Sequence, residues 1–214
     1  MPPDRAAELA GLGDDLHRHL GASSRAREIA LPACRQAIQA CGRSIRAVHR
    51  QEPDVAARLA DDAAAELRRA QDALSPYPAL AASGPLHDAE KEYAEARLTA
   101  AMVDDQPLPS YAELSVSASA WLGGLAEAAS ELRRHLLDRL RTGELARSER
   151  LLDAMDDAYG LLITIDYPDA VTGGLRRTTD ALRAVLERTR GDLTTTVLQS
   201  RLQQALERHV PPVH

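Results

Sequence analysis

Residues 24–50 read "SRAREIALPACRQAIQACGRSIRAVHR" and contain six arginines and a single acid, Glu28. A helix advances about 100° per residue, which gathers Arg25, Arg35, Arg43, Arg46 and Arg50 within an arc of about 80°. Cys34, Ile38, Cys41, Ile45 and Val48 fall on a separate apolar arc. The stretch therefore reads as one amphipathic helix, from about Ser24 to Gln51, with a one-sided cationic stripe. Pro32 is the residue expected to kink it. Arginine forks suit phosphate oxygens, so one reading of the stripe is sequence-independent contact with a nucleic-acid backbone. The other is pairing with acids of a neighbouring helix or subunit.

The same periodicity runs through nearly the whole chain. Helices are expected at about Asp4–Leu20, Asp54–Leu74, Gly84–Asp104, Glu113–Arg141, Glu144–Ile165, Leu175–Arg190 and Asp192–His209. The first is expected to stop at Gly21, before a "GASS" loop with Ser24 as N-cap. Ser83 or Gly84 should cap the helix that opens at "SGP". No alternation of β-branched residues suggests a strand. The fold class is all-α, a seven- to eight-helix bundle in one domain, 1–214. The 214 residues are 44% hydrophobic but only 3% aromatic, with no Phe, so the core must be built from Leu, Ala, Val and Ile in closely packed helices.

A formal net charge of −6 gives no global attraction to nucleic acid or to an anionic membrane. No run approaches the ~18 apolar residues of a membrane span. The acidic, amphipathic N-terminus is unlike a signal peptide, so a cytoplasmic protein is expected. Cys34 and Cys41 lie seven apart on one helix, about 10 Å along its axis, too far for a disulfide. They read as small buried residues, and no spacing of Cys and His suggests zinc.

Two further helices carry acids on one face. In "EKEYAEA", residues 90–96, Glu92 and Glu95 share a face with Asp88, away from the apolar stripe of Leu86, Ala89, Tyr93 and Ala96, and Glu90 points elsewhere. Lys91 in this segment is the only lysine of the chain. In "WLGGLAEAASELRRHLLD", residues 121–138, Glu127 and Glu131 are i,i+4 neighbours, and Gly123, Gly124 and Ala126 leave the helix slim. Like charges at that spacing destabilise a helix by a few tenths of a kcal/mol, a penalty that a bound cation reverses. Four carboxylates without a partnering imidazole suit a hard ion such as Mg²⁺ or Mn²⁺. A ferritin-type di-iron site would need Glu-x-x-His, which is absent. A solvated acidic face remains the plainer reading of either helix.

Taken together, these segments resemble the translin family. "AREIALPACRQAIQACGRSIRAVHR" is similar to its N-terminal basic helix. "EKEYAEA" resembles the Gln-Glu-Tyr-Val-Glu-Ala segment of the translin-associated factor X branch, with Glu92 and Glu95 at its glutamates. "WLGGLAEAASELRR" resembles a Tyr-Leu-x-Gly-x-x-Asp-x-x-x-Glu-Leu segment, with Glu131 at its glutamate and Glu127 in place of its aspartate. "GGLRRTTDALRAVLERTRGDL" resembles the family's last helix, and the likeness extends from about Arg25 to Leu193. The resemblance implies a seven-helix protomer and Mg²⁺-dependent endonucleolytic cleavage of single-stranded RNA. Glu92, Glu95, Glu127 and Glu131 would be the catalytic metal ligands, and Arg25, Arg35, Arg43, Arg46 and Arg50 would hold the nucleic acid. It also implies a hollow homo-oligomer, often an octamer, with the acids facing inward. The alternative within the family is a non-catalytic oligomer that binds single-stranded RNA or DNA, as translin itself does.

Overall fold

The computed structural model describes residues 4–209 apart from Ser83, so the cap expected at Ser83 lies outside the described residues. It contains eight helices and, among the described residues, no strand. They are α1 (Arg5–His49), α2 (Pro53–Leu74), α3 (Pro78–Ala81), α4 (Gly84–Val103), α5 (Ala118–Arg141), α6 (Leu145–Leu162), α7 (Asp169–Thr172) and α8 (Leu175–His209). The all-α expectation and the count of seven to eight are borne out, but the helices divide differently.

Two expected breaks do not occur. α1 is capped by Asp4, whose carboxylate accepts from the amides of Ala6 and Ala7, and runs through Gly21–Ser24 without interruption. A helical glycine costs only about 1 kcal/mol relative to alanine, and long flanking helices absorb that. Ser23 and Ser24 are accommodated by donating to the Leu20 carbonyl and the Glu28 carboxylate rather than capping a new helix. Pro32 lies inside α1. α8 likewise passes through Gly191. In the other direction, Glu113 does not begin α5. Its carboxylate accepts from both the amide and the hydroxyl of Ser110, closing a local turn. The helix is capped four residues later by Ser117, which accepts from the amide of Ala120.

α1 and α2 form an antiparallel hairpin closed at Gln51, which adopts φ 60°, with Pro53 in the first turn of α2. α1 packs on α2 and α4, α4 on α5, and α5 on α6 and α8. One continuous core runs through these helices. Alanine fills its crossings (Ala33, Ala37, Ala63, Ala94, Ala126 and Ala129 are fully buried) and leucine its wider layers, Leu98, Leu125, Leu132 and Leu136. This is the close packing that a Phe-free sequence requires. Cys34 and Cys41 are buried free thiols of α1.

The ends of the two longest helices lie outside this core. Leu9, Leu12, Leu16 and Leu20 of α1 and Leu198, Leu202 and Leu206 of α8 are each more than half exposed. Their three- and four-residue spacing makes an apolar stripe on each half-helix. No described helix is long and apolar enough to cross a membrane.

Candidate metal centre

The site forms where α4 crosses α5. Gly124 makes the crossing close. A Cβ at that position would lie 2.7 Å from the Ala94 Cβ and 2.8 Å from both the Glu95 amide nitrogen and the Lys91 carbonyl oxygen. With no side chain between them, the acidic faces of the two helices meet. Glu92 and Glu95 of α4 and Glu127 of α5 each place one carboxylate oxygen within 4.8 Å of the others.

Glu131, the fourth expected acid, is not part of that group. Its Oε2 lies 2.7 Å from Nε2 of His49, at the end of α1. His49 was not singled out by sequence. Its side chain is only 4% exposed, and its Nδ1 has no hydrogen-bond partner. The only sequence signal was its position beside Val48, next to the apolar arc of a helix otherwise studded with arginine. Glu90 also has a separate task. It is buried, accepts from the Gln71 amide group and from the backbone amide of Ser117, and so ties α2 and the start of α5 to α4.

The electrostatics follow from crowding acids at a half-buried crossing. Burial, reinforced by the charges of Glu92 and Glu127, pushes the Glu95 carboxyl up to about 9. Burial also raises Glu92, against the pull of Lys91. Glu131 moves the other way, because the hydrogen bond with His49 holds it below the ordinary carboxylate range despite its burial. Beneath the cluster, burial and the charges of Glu92 and Glu95 push the Cys41 thiol up to about 12, which leaves it inert. Lys91 supplies the one ammonium. Its Nζ is 2.7 Å from Oε1 of Glu127 and 3.6 Å from Oε1 of Glu92. Burial works to lower its pKa, but the hydrogen bond and charge of Glu127 raise it on balance.

This donor set fits a hard divalent cation. It is all carboxylate oxygen, and it carries a charge conflict that a cation would relieve. The 4.8 Å spread of its oxygen atoms is close to the roughly 4.2 Å that separates opposite ligands of an octahedral Mg²⁺ shell, twice its 2.0–2.1 Å bond.

All five arginines of the stripe lie on α1 or at its C-cap, and all are exposed. Arg50 is held by a two-pronged pair with the Glu52 carboxylate. Among the described residues, Arg25, Arg35, Arg43 and Arg46 make no ion pair, so within one chain the stripe is not consumed by neighbouring acids.

No family model matches the chain. The uncharacterized protein MJ0175 of Methanocaldococcus jannaschii is 29% identical over 194 residues, which cover 90% of this chain and 86% of that protein. AfC3PO in its duplex RNA complex is similar with a TM-score of 0.80 and 27% identity, over 87% of this chain and 96% of that one. The crystal structure of AfC3PO gives 0.77 and 26%, over 90% and 98%. Apo-NeC3PO, at 17% identity, shares the fold with a TM-score of 0.73 over 92% and 98%.

Proposed function

The chain has the translin-family fold of the C3PO structures, and from that premise we propose that it is a metal-dependent endoribonuclease acting on single-stranded RNA. The observation that carries the reading is the meeting of the Glu92, Glu95 and Glu127 carboxylates, from two helices, within 4.8 Å. These three would hold Mg²⁺, or Mn²⁺ in its place. A divalent ion among carboxylates supplies Lewis-acid stabilisation of phosphate charge and makes water a nucleophile at neutral pH.

The remaining roles belong to side chains around the cluster. Glu131, kept ionised and oriented by His49, would be the carboxylate outside the cluster free to take a proton from water. Arg25, Arg35, Arg43 and Arg46 hold backbone phosphates without reading bases. Arg50 joins them with the donors that its pair with Glu52 leaves free. The whole chain, 1–214, acts as one unit in a cytoplasmic homo-oligomer, octameric in the family's manner. The unpartnered leucine stripes of α1 and α8 support assembly, and the duplex RNA complex of AfC3PO supports an RNA ligand.

One observation favours the second reading, a non-catalytic RNA-binding oligomer. Lys91 already partly neutralises the acids. Incubating end-labelled single-stranded RNA with the protein in Mg²⁺ and in EDTA separates the two. The proposal expects internal cleavage products only with Mg²⁺. Shifted but intact RNA under both conditions would establish the second reading instead.

A further inference from the structure

We infer that Lys91 is a tethered counter-ion of the carboxylate cluster, an ammonium that occupies the metal-free site and must leave Glu127 before a divalent ion is held there. The inference rests on the metal reading of Glu92, Glu95 and Glu127, and it concerns what sets the affinity of that site.

The positions are specific. Nζ of Lys91 contacts the same two carboxylates, Glu127 at 2.7 Å and Glu92 at 3.6 Å, whose oxygens converge with that of Glu95. Oε1 of Glu127 accepts from the ammonium at 2.7 Å, and a divalent ion held by the same carboxylates would repel that charge out of the cluster. The stem of Lys91 has its own space at the crossing. A Cβ at Gly123 would stand 3.3 Å from both Cγ and Cδ of Lys91, so the absence of a side chain there leaves room for the stem along α5. The side chain remains 25% exposed, which gives the ammonium a way out into water.

Residue type supports the same conclusion. Every other side-chain cation of Lys or Arg type here is arginine, 25 of the 26, with lysine used once, among the acids. An ammonium is a compact point charge on a flexible stem, whereas a guanidinium is a planar fork that grips a carboxylate with two bonds. A removable cation calls for the first. With it in place, Glu92, Glu95 and Glu127 do not face one another unrelieved before metal arrives. The cost is a weaker site, because the ion gains only the difference between its own attraction and that of the displaced ammonium.

Metal binding and lysine reactivity test this directly. Lys91→Met should bind Mn²⁺, measured by calorimetry or EPR, about twofold to fivefold more tightly than wild type, the scale of one partly exposed ion pair. In EDTA the same variant should unfold at lower urea, with the gap closing as Mn²⁺ is added. Should Lys91→Met fail to fold, the wild type carries its own control. Lys91 is the only lysine, so an amine-acylating reagent read by mass spectrometry reports on that side chain, apart from the chain terminus. Acylation at Lys91 should be several-fold faster in Mn²⁺ than in EDTA. Mn²⁺ bound equally tightly by both proteins, or acylation unchanged by Mn²⁺ that is demonstrably bound, would overturn the counter-ion role while leaving the metal site standing. Mn²⁺ bound by neither protein would overturn the metal reading and this inference with it.

Discussion

Glu95 is buried beside two other acids with only a single lysine near the group, and its protonation therefore couples to folding. Its carboxyl moves from the ordinary 4.5 to about 9 in the folded protein. Between those values the folded chain keeps a proton that the unfolded chain has lost, so stability falls as pH rises. Glu131 has the opposite sign. Its lowered pKa contributes stability above the ordinary carboxylate range and loses it only on acidification. Urea midpoints measured in EDTA should accordingly decline from about pH 6 to about pH 9, and saturating Mg²⁺ should abolish the decline. A flat profile in EDTA would show that Glu95 is not crowded as described. Glu92, Glu95 and Glu127 were legible in the sequence because i,i+3 and i,i+4 neighbours share a helix face whatever the tertiary structure does. The pairing of His49 with Glu131 was not, because it joins residues 82 apart, and no periodicity within one helix encodes which neighbour it will face.

Between helices, Gly124 sets the geometry of the site. A methyl group there would clash with the backbone and with Ala94 of α4. Gly124→Ala should cost about 1–3 kcal/mol, as overpacked cores do, and should weaken Mn²⁺ binding by parting Glu127 from Glu92 and Glu95. Unchanged Mn²⁺ affinity alongside that loss of stability would detach the crossing from the site. The basic stripe makes a separate prediction for α1. Each phosphate contact removed by Arg43→Ala or Arg46→Ala should lower the salt slope of log K for single-stranded RNA by about 0.7. Equal slopes for variants and wild type would assign those arginines to protein contacts. Helix identity was readable from the 3.6-residue apolar repeat, while helix ends were not. Gly21 and Gly191 have the composition of breaks, but the ~1 kcal/mol that a helical glycine costs is small beside the continuity of a 45-residue and a 35-residue helix. At Glu113 the sequence resembles a helix start where none forms, since its bonds to Ser110 make a turn that imitates one.

For the whole molecule, the exposed leucines of α1 and α8 form two regular apolar stripes among the described residues. An assembly that covers them would also give the acids a sheltered interior to face. Leu12→Asp with Leu16→Asp should reduce the mass seen by light scattering while leaving helical content unchanged. A wild type that is monomeric at micromolar concentration would remove the interior from the account. The fold class was legible because composition and periodicity agree along the chain. The assembly entered only through the family resemblance, since exposed leucines on a single chain do not specify what covers them. The proposed metal-dependent cleavage rests on the carboxylates of Glu92 and Glu95. It is tested most directly by Mg²⁺-dependent cleavage of a labelled single-stranded RNA by the Glu92→Gln/Glu95→Gln variant, at protein concentrations where that variant binds the RNA fully. Losing metal ligands should cost at least about 100-fold in rate, with RNA affinity retained. Cleavage at the wild-type rate by that variant would contradict the claim.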